Sequence, residues 1–168
     1  MINKWINTNG GPLVGASGNV ISHWKGVDGS SSSVDAGIDY DRACSIIDFL
    51  GVVDCGGFPV VVFGDEPLQS TFVHCNDKLV VRWVSCKSYE VADKVLLEVP
   101  EQLPQLQEKL SYSQNDNIFK FFDSFFDGAQ GKEEGQFDLA QGDYVLTTEL
   151  YKDEGQYEFI IHRFKKND

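Results

Sequence analysis

The sequence predicts a mainly antiparallel α+β fold, a single domain with one or two packed helices and a C-terminal β-hairpin. Three observations carry that prediction. Apolar runs at 59–64, 70–75 and 79–84 follow one another with only Gly64-Asp65-Glu66-Pro67 and Asn76-Asp77 between them, the spacing of consecutive antiparallel strands. Ala43, Ile46, Ile47 and Leu50 recur at helical spacing within 39–50. Residues 143–152 and 157–164 flank the turn Asp153-Glu154-Gly155, so the chain closes on a hairpin. A length of 168 residues suits one domain that buries a sizeable core without disulfide or metal.

Taken in order, Lys4-Trp5-Ile6 is a short strand candidate, and 12–16 its returning partner across Asn9-Gly10-Gly11-Pro12. A short apolar segment, 19–24, ends at Lys25-Gly26, and Val27-Asp28-Gly29 with Ser30 to Ser33 reads as a flexible surface loop. In the 39–50 helix, Asp39 or Asp35 caps the start, Asp39, Asp41 and Arg42 lie on or near the solvated face, and Gly51 ends the element. A second helix is expected over 88–99, capped by Ser88 and stopped by Pro100, with a looser helical stretch over 101–110. Residues 118–126 hold five phenylalanines: positions 118, 121, 122, 125 and 126 form a helical stripe, yet such a concentration also suits a buried strand. The stretch 128–142 reads as loop, tacked down by Phe137 and Leu139.

Fourteen basic residues against 26 acidic ones leave a formal charge of −12. Between Asp116 and Glu158 there are 11 acids and three bases, the most acidic part of the chain. A nucleic-acid binder needs the opposite sign, as does a protein that docks on an anionic membrane. No run approaches the length of a membrane-spanning helix, and the N-terminus lacks a signal-peptide pattern, so a soluble cytoplasmic protein is expected. Cys44, Cys55, Cys75 and Cys86 contain no CxxC pair and read as free thiols.

No nucleophile, base or metal set has a spacing that forces its members together, and no cofactor motif is present. His74 and Cys75, adjacent on a strand, point to opposite faces and cannot pair. His23 and His162 are isolated, and Ser17 does not fit GxSxG. Arg82-Trp83 reads as a packed aromatic beside an ion pair. The enzymatic alternative is an acidic pocket around Asp65 and Glu66, with His74, in a small enzyme or ligand-binding module.

Several short motifs together resemble the immunity protein 21 family, encoded beside bacterial polymorphic toxins. They are Trp5 with Gly10-Gly11-Pro12-Leu13, His23-Trp24-Lys25-Gly26, Asp39-Tyr40-Asp41-Arg42-Ala43-Cys44, Phe63-Gly64-Asp65-Glu66-Pro67 and Val81-Arg82-Trp83. Gly142-Asp143-Tyr144 and Ile161-His162-Arg163-Phe164 are similar to the family's closing hairpin. The resemblance implies an α+β cytoplasmic protein that binds a cognate toxin and occludes it, without catalysis, cofactor or metal. It also favours a strand ending near Asp123 over a helix at 118–126. Charge points to a basic nuclease as the toxin, with acids steering it in and a few apolar contacts holding it. The candidate partner-binding residues are Glu133, Glu134, Asp138, Asp143, Asp153 and Glu154 of the acidic final third, and Asp65 and Glu66 as a second location. The serine loop at 30–33 and the stretch 128–135 depart from the family pattern and are places where specificity can sit.

Overall fold

The computed structural model describes residues 2, 4–64, 66–130 and 135–167. Among these residues ten strands build two five-stranded sheets. The first has the order β2 (Gly51–Cys55), β3 (Phe58–Phe63), β1 (Leu13–Ser17), β7 (Ile118–Asp123) and β8 (Gly135–Asp138). The second runs β4 (Ser70–His74), β5 (Lys78–Cys86), β10 (Tyr157–Lys166), β9 (Gly142–Asp153) and β6 (Leu110–Gln114). Every strand pairing is antiparallel. Helices are few: α1 (Gly18–Ile21), α2 (Asp39–Cys44) and α3 (Tyr89–Leu96).

The core divides into three apolar seams, which order the molecule into four layers. Between the sheets lie Leu13, Val61, Phe63, Phe119 and Phe121 of the first, with Phe72, Val80, Tyr112, Leu146 and Phe164 of the second. The outer face of the first sheet packs Val14, Val60, Val62 and Phe122 against α1, Trp24 and Ala43 of α2. On the outer face of the second, Val73, Leu79, Val81, Phe159 and Ile161 meet Ala92 and Leu96 of α3. Both faces of both sheets are therefore covered, so their central strands read as continuous apolar runs rather than alternating ones.

That double covering explains the outcome at 118–126. Phe119 and Phe121 enter the seam between the sheets while Phe122 enters the outer one, so the run is strand β7, ending at Asp123. The helical stripe was coincidental: with Phe119 and Phe121 on one face and Phe122 on the other, Lys120 alone is too little polar alternation to mark a strand.

The closing hairpin forms as expected, with β9 and β10 paired from Tyr157↔Asp153 to Lys166↔Tyr144. The helix within 88–99 also forms, and the Ser88 hydroxyl accepts the Val91 N–H at 3.3 Å. Other expectations need correction. The runs at 59–64 and 70–75 are strands, but they do not pair: β3 already has β1 and β2 on its two edges, and the chain crosses to the other sheet before β4. Residues 4–6 form no hairpin with 12–16. Ile6 bridges Ser70 in the second sheet, whereas β1 lies buried between β3 and β7.

The 39–50 helix stops after six residues. Ser45 turns its hydroxyl back to the Arg42 carbonyl at 2.7 Å, a local bond that competes with helix propagation, and Gly51 opens β2 rather than ending a helix. Residues 101–110 are not helical either. With Pro100 and Pro104 interrupting it, the chain lies extended on β9, through Leu106 N–H to Thr148 O at 2.9 Å and Leu150 N–H to Pro104 O at 2.9 Å. Within 128–142, β8 forms, and Phe137 and Leu139 are buried as anchors.

Candidate functional site

Segments that the family resemblance singled out meet along the first sheet, from near the β2–β3 turn to the crossing at Gly64. Toward the turn lies Asp39, which is fully buried rather than solvated. Its carboxylate accepts the Lys25 N–H at 2.8 Å, the Ser31 N–H and hydroxyl at 3.0 Å, and the Arg42 guanidinium at 2.5 Å. Arg42 reaches on to the Asp54 carbonyl at 2.8 Å, joined there by the Ser32 hydroxyl. The serine loop, expected to be flexible, is thus stitched to α2 and β2 by a buried charge that needs those donors.

Gly64 and residues 66–69 lie on a strap that runs from one sheet to the other. Arg82, buried between the sheets, donates to the Phe49 carbonyl at 3.2 Å and to the Glu66 carbonyl, tying the strap to the loop after α2. Gly64 permits that approach: a Cβ there would lie 2.5 Å from the Asp48 carbonyl oxygen. Beside the strap is a hollow of about 200 Å³ lined by residues that include Gly11, Pro12, Cys44, Gly64, Glu66 and Pro67. Tyr40 closes over Gly11, where a Cβ would come within 2.6 Å of its ring, and meets Phe125 edge to face at 5.7 Å. A hydrogen bond with the Cys44 thiol, then burial and the charges of Cys44, Asp123 and Asp41, push the Tyr40 hydroxyl above its ordinary pKa, so it stays protonated.

Beyond the strap, Trp83 donates its backbone N–H to Gln69 O at 2.8 Å, and the Tyr89 hydroxyl donates to the Gln69 side chain at 3.1 Å. Trp5 packs edge to face on Trp83 at 5.0 Å, and Trp83 meets Tyr89 at 5.1 Å. Large apolar side chains stand out of this end of the molecule: Ile47 is 84% exposed, Tyr89 51% and Phe125 43%. Asp41, Asp48, Glu66 and Glu90 lie exposed among them. The Ser88 hydroxyl bonded to Glu90 holds that carboxyl below its ordinary range.

The candidate partner-binding acids do not form one patch. Asp65, Glu133 and Glu134 lie outside the described residues. Glu66 is exposed on the strap. Asp138 is exposed on β8 opposite Ile118, the far end of β7 from the strap. Asp143, the second residue of β9, accepts the Ser113 hydroxyl at 2.6 Å. Asp153 and Glu154 sit at the hairpin tip, lining a hollow of about 410 Å³ with Lys87 and Lys152. The ten-residue separation along β9 places Asp143 and Asp153 about 33 Å apart. Glu66 and His74 do not converge either, because Glu66 precedes β4 and His74 is its last, exposed residue.

Other buried polar groups serve the scaffold. Arg163 pairs with Glu149 at 2.9 Å and with Asp77, and donates to the Pro100 carbonyl at 2.7 Å, fastening the segment after α3. All four cysteines are free thiols. Among the described residues no three His, Cys, Asp or Glu side chains come together in a way that could hold a metal ion. No helix among them is long and apolar enough to cross a membrane.

Sequence reasoning missed Ile47 and Tyr89 as surface features. Ile47 belonged to an apparent helical stripe, and only the early end of α2 turns it outward. Tyr89 follows a cap residue and carries no local signal of exposure.

The described chain is a four-layer antiparallel sandwich whose motif residues gather around a buried carboxylate and along a crossing strap. Residues 4–155 match the family model of immunity protein 21, and the chain belongs to that family. Membership implies an immunity protein with a toxin as its partner. Searches of curated proteins and of solved structures gave no match.

Proposed function

We propose that this protein neutralises a cognate toxin of a bacterial polymorphic system by binding and occluding it, without catalysis, in the cytoplasm of the cell that makes both. The family match over residues 4–155 carries the reading. The formal charge of −12 supports a basic toxin, with a nuclease as the class that best fits, because an enzyme that grips phosphates presents a cationic surface. The covered sheet faces and the separation of Glu66 from His74 are in keeping with a protein that works through its surface.

Co-expression with the toxin encoded beside this gene tests the proposal. Cells should survive toxin induction only when this protein is present, and the purified pair should co-elute. Death at the same rate with and without it, and no association of the pure proteins, would sink the reading.

A further inference from the structure

Resting on that reading, we infer that the strap end of the sandwich is the toxin-docking face, with Ile47 and Tyr89 as apolar anchors and Asp48 and Glu66 as the acidic rim. The two anchors are tied to one frame. Ile47 lies two residues before Phe49, whose carbonyl shares the Arg82 guanidinium with the Glu66 carbonyl. Tyr89 hydrogen-bonds Gln69 at the other end of the same strap. The buried Arg82 thus fixes the backbone close to Ile47, and Tyr89 is tied to the strap at the surface, so part of the ordering cost of docking is already met.

An 84% exposed isoleucine and a half-exposed tyrosine beside two tryptophans make the kind of apolar centre, with aromatic weight, on which interface energy concentrates. The end crosses all four layers, about 30 Å, enough for the roughly 800 Å² that a standard interface covers on each partner. Charge selects the occupant. Asp41, Asp48, Glu66 and Glu90 are exposed here, against Lys4 and Lys87 on the α3 side, and Lys87 is engaged with Gln156 at 2.9 Å. A basic protein surface carrying an apolar projection complements that arrangement. The acids at the hairpin tip share their hollow with Lys87 and Lys152, and no exposed large apolar side chain lines it.

The test is calorimetric titration of the purified neighbouring toxin, in a catalytically inactive form, with wild type, Ile47→Asp, Tyr89→Ala, Glu66→Lys and Asp138→Asn, the last at the far end of β7 from the strap. Ile47→Asp and Tyr89→Ala should each weaken binding about 30-fold, Glu66→Lys should weaken it about fivefold, and Asp138→Asn should bind like wild type. Melting curves check that the exposed substitutions leave the fold intact, and amide exchange on the wild-type complex should show new protection at 44–49 and 64–69. If wild type binds while the strap-end variants bind equally well and those segments gain no protection, this docking face is wrong and the toxin-binding reading survives. If wild type itself does not bind, both fall together.

Discussion

Asp39, Arg82 and His162 show what a single buried polar residue does in this fold. Asp39 and Arg82 are charges taken out of water, and each is tolerated because several chain segments converge on it with donors or acceptors. They thereby become fasteners, drawing a loop, a helix and a strap to common points. His162 is different: it is fully buried, its Nδ1 meets the Thr148 hydroxyl at 3.1 Å, and the Phe63 ring lies 5.2 Å away. Burial, and secondarily the Arg82 charge, push its pKa well below the ordinary value, so the folded protein holds it neutral. Below about pH 6.5 the unfolded chain takes up a proton there that the native state refuses, so stability falls as pH drops through that value. Urea midpoints measured between about pH 7 and pH 5.5, above the range where carboxylates titrate, should decline for wild type and flatten in His162→Leu. An equally steep decline in the variant would remove His162 as the cause.

Among the elements, the strap and the short α2 decide the geometry of the functional end. The short link between Phe63 of β3 and Ser70 of β4 is enough to step between sheets packed about 10 Å apart. Close packing at Gly64 sets the approach of the strap to the loop after α2. Replacing Gly64 with alanine forces a methyl group against the Asp48 carbonyl, with backbone rather than a flexible side chain in the way. A loss of about 1–3 kcal/mol in a denaturant titration is expected; full stability would show that the two segments separate freely. Sheet edges are also managed by particular residues. Gln107 bonds both backbone groups of Leu50 beside β2, at 2.9 and 3.0 Å, and Ile6 pairs with Ser70 on β4. Such covers blunt edges that would otherwise recruit another strand.

For the molecule as a whole, acidity is distributed rather than focused. Asp138, Asp143, Asp153 and Glu66 look outward from separated corners, so the −12 charge acts mainly as a long-range field that speeds encounter with a basic partner. Association rates with the toxin should fall at least about tenfold between low salt and 0.5 M NaCl, while dissociation changes much less. Stopped-flow mixing at several ionic strengths checks this, and a salt-independent association rate would rule out electrostatic steering.

β3, β4, β5, the closing hairpin and α3 could be read because local cues agree there: apolar runs bounded by turn residues, a serine cap, a proline stop. β7 was ambiguous for a physical reason, since a strand covered on both faces loses the alternation that identifies strands. β2 and β6 went unnoticed because short strands of mixed polarity depend on their neighbours for pairing. The strap read as a hairpin turn, since nothing in Gly64-Asp65-Glu66-Pro67 tells whether the next strand joins the same sheet.

Sequence alone thus settled composition, charge, the apolar segments and the motifs of the family, all properties written in consecutive residues. Assembly decided the rest. Only folding buries Asp39, carries the chain at Gly64 from one sheet to the other and turns Ile47 outward, because each outcome depends on contacts between segments far apart in the chain.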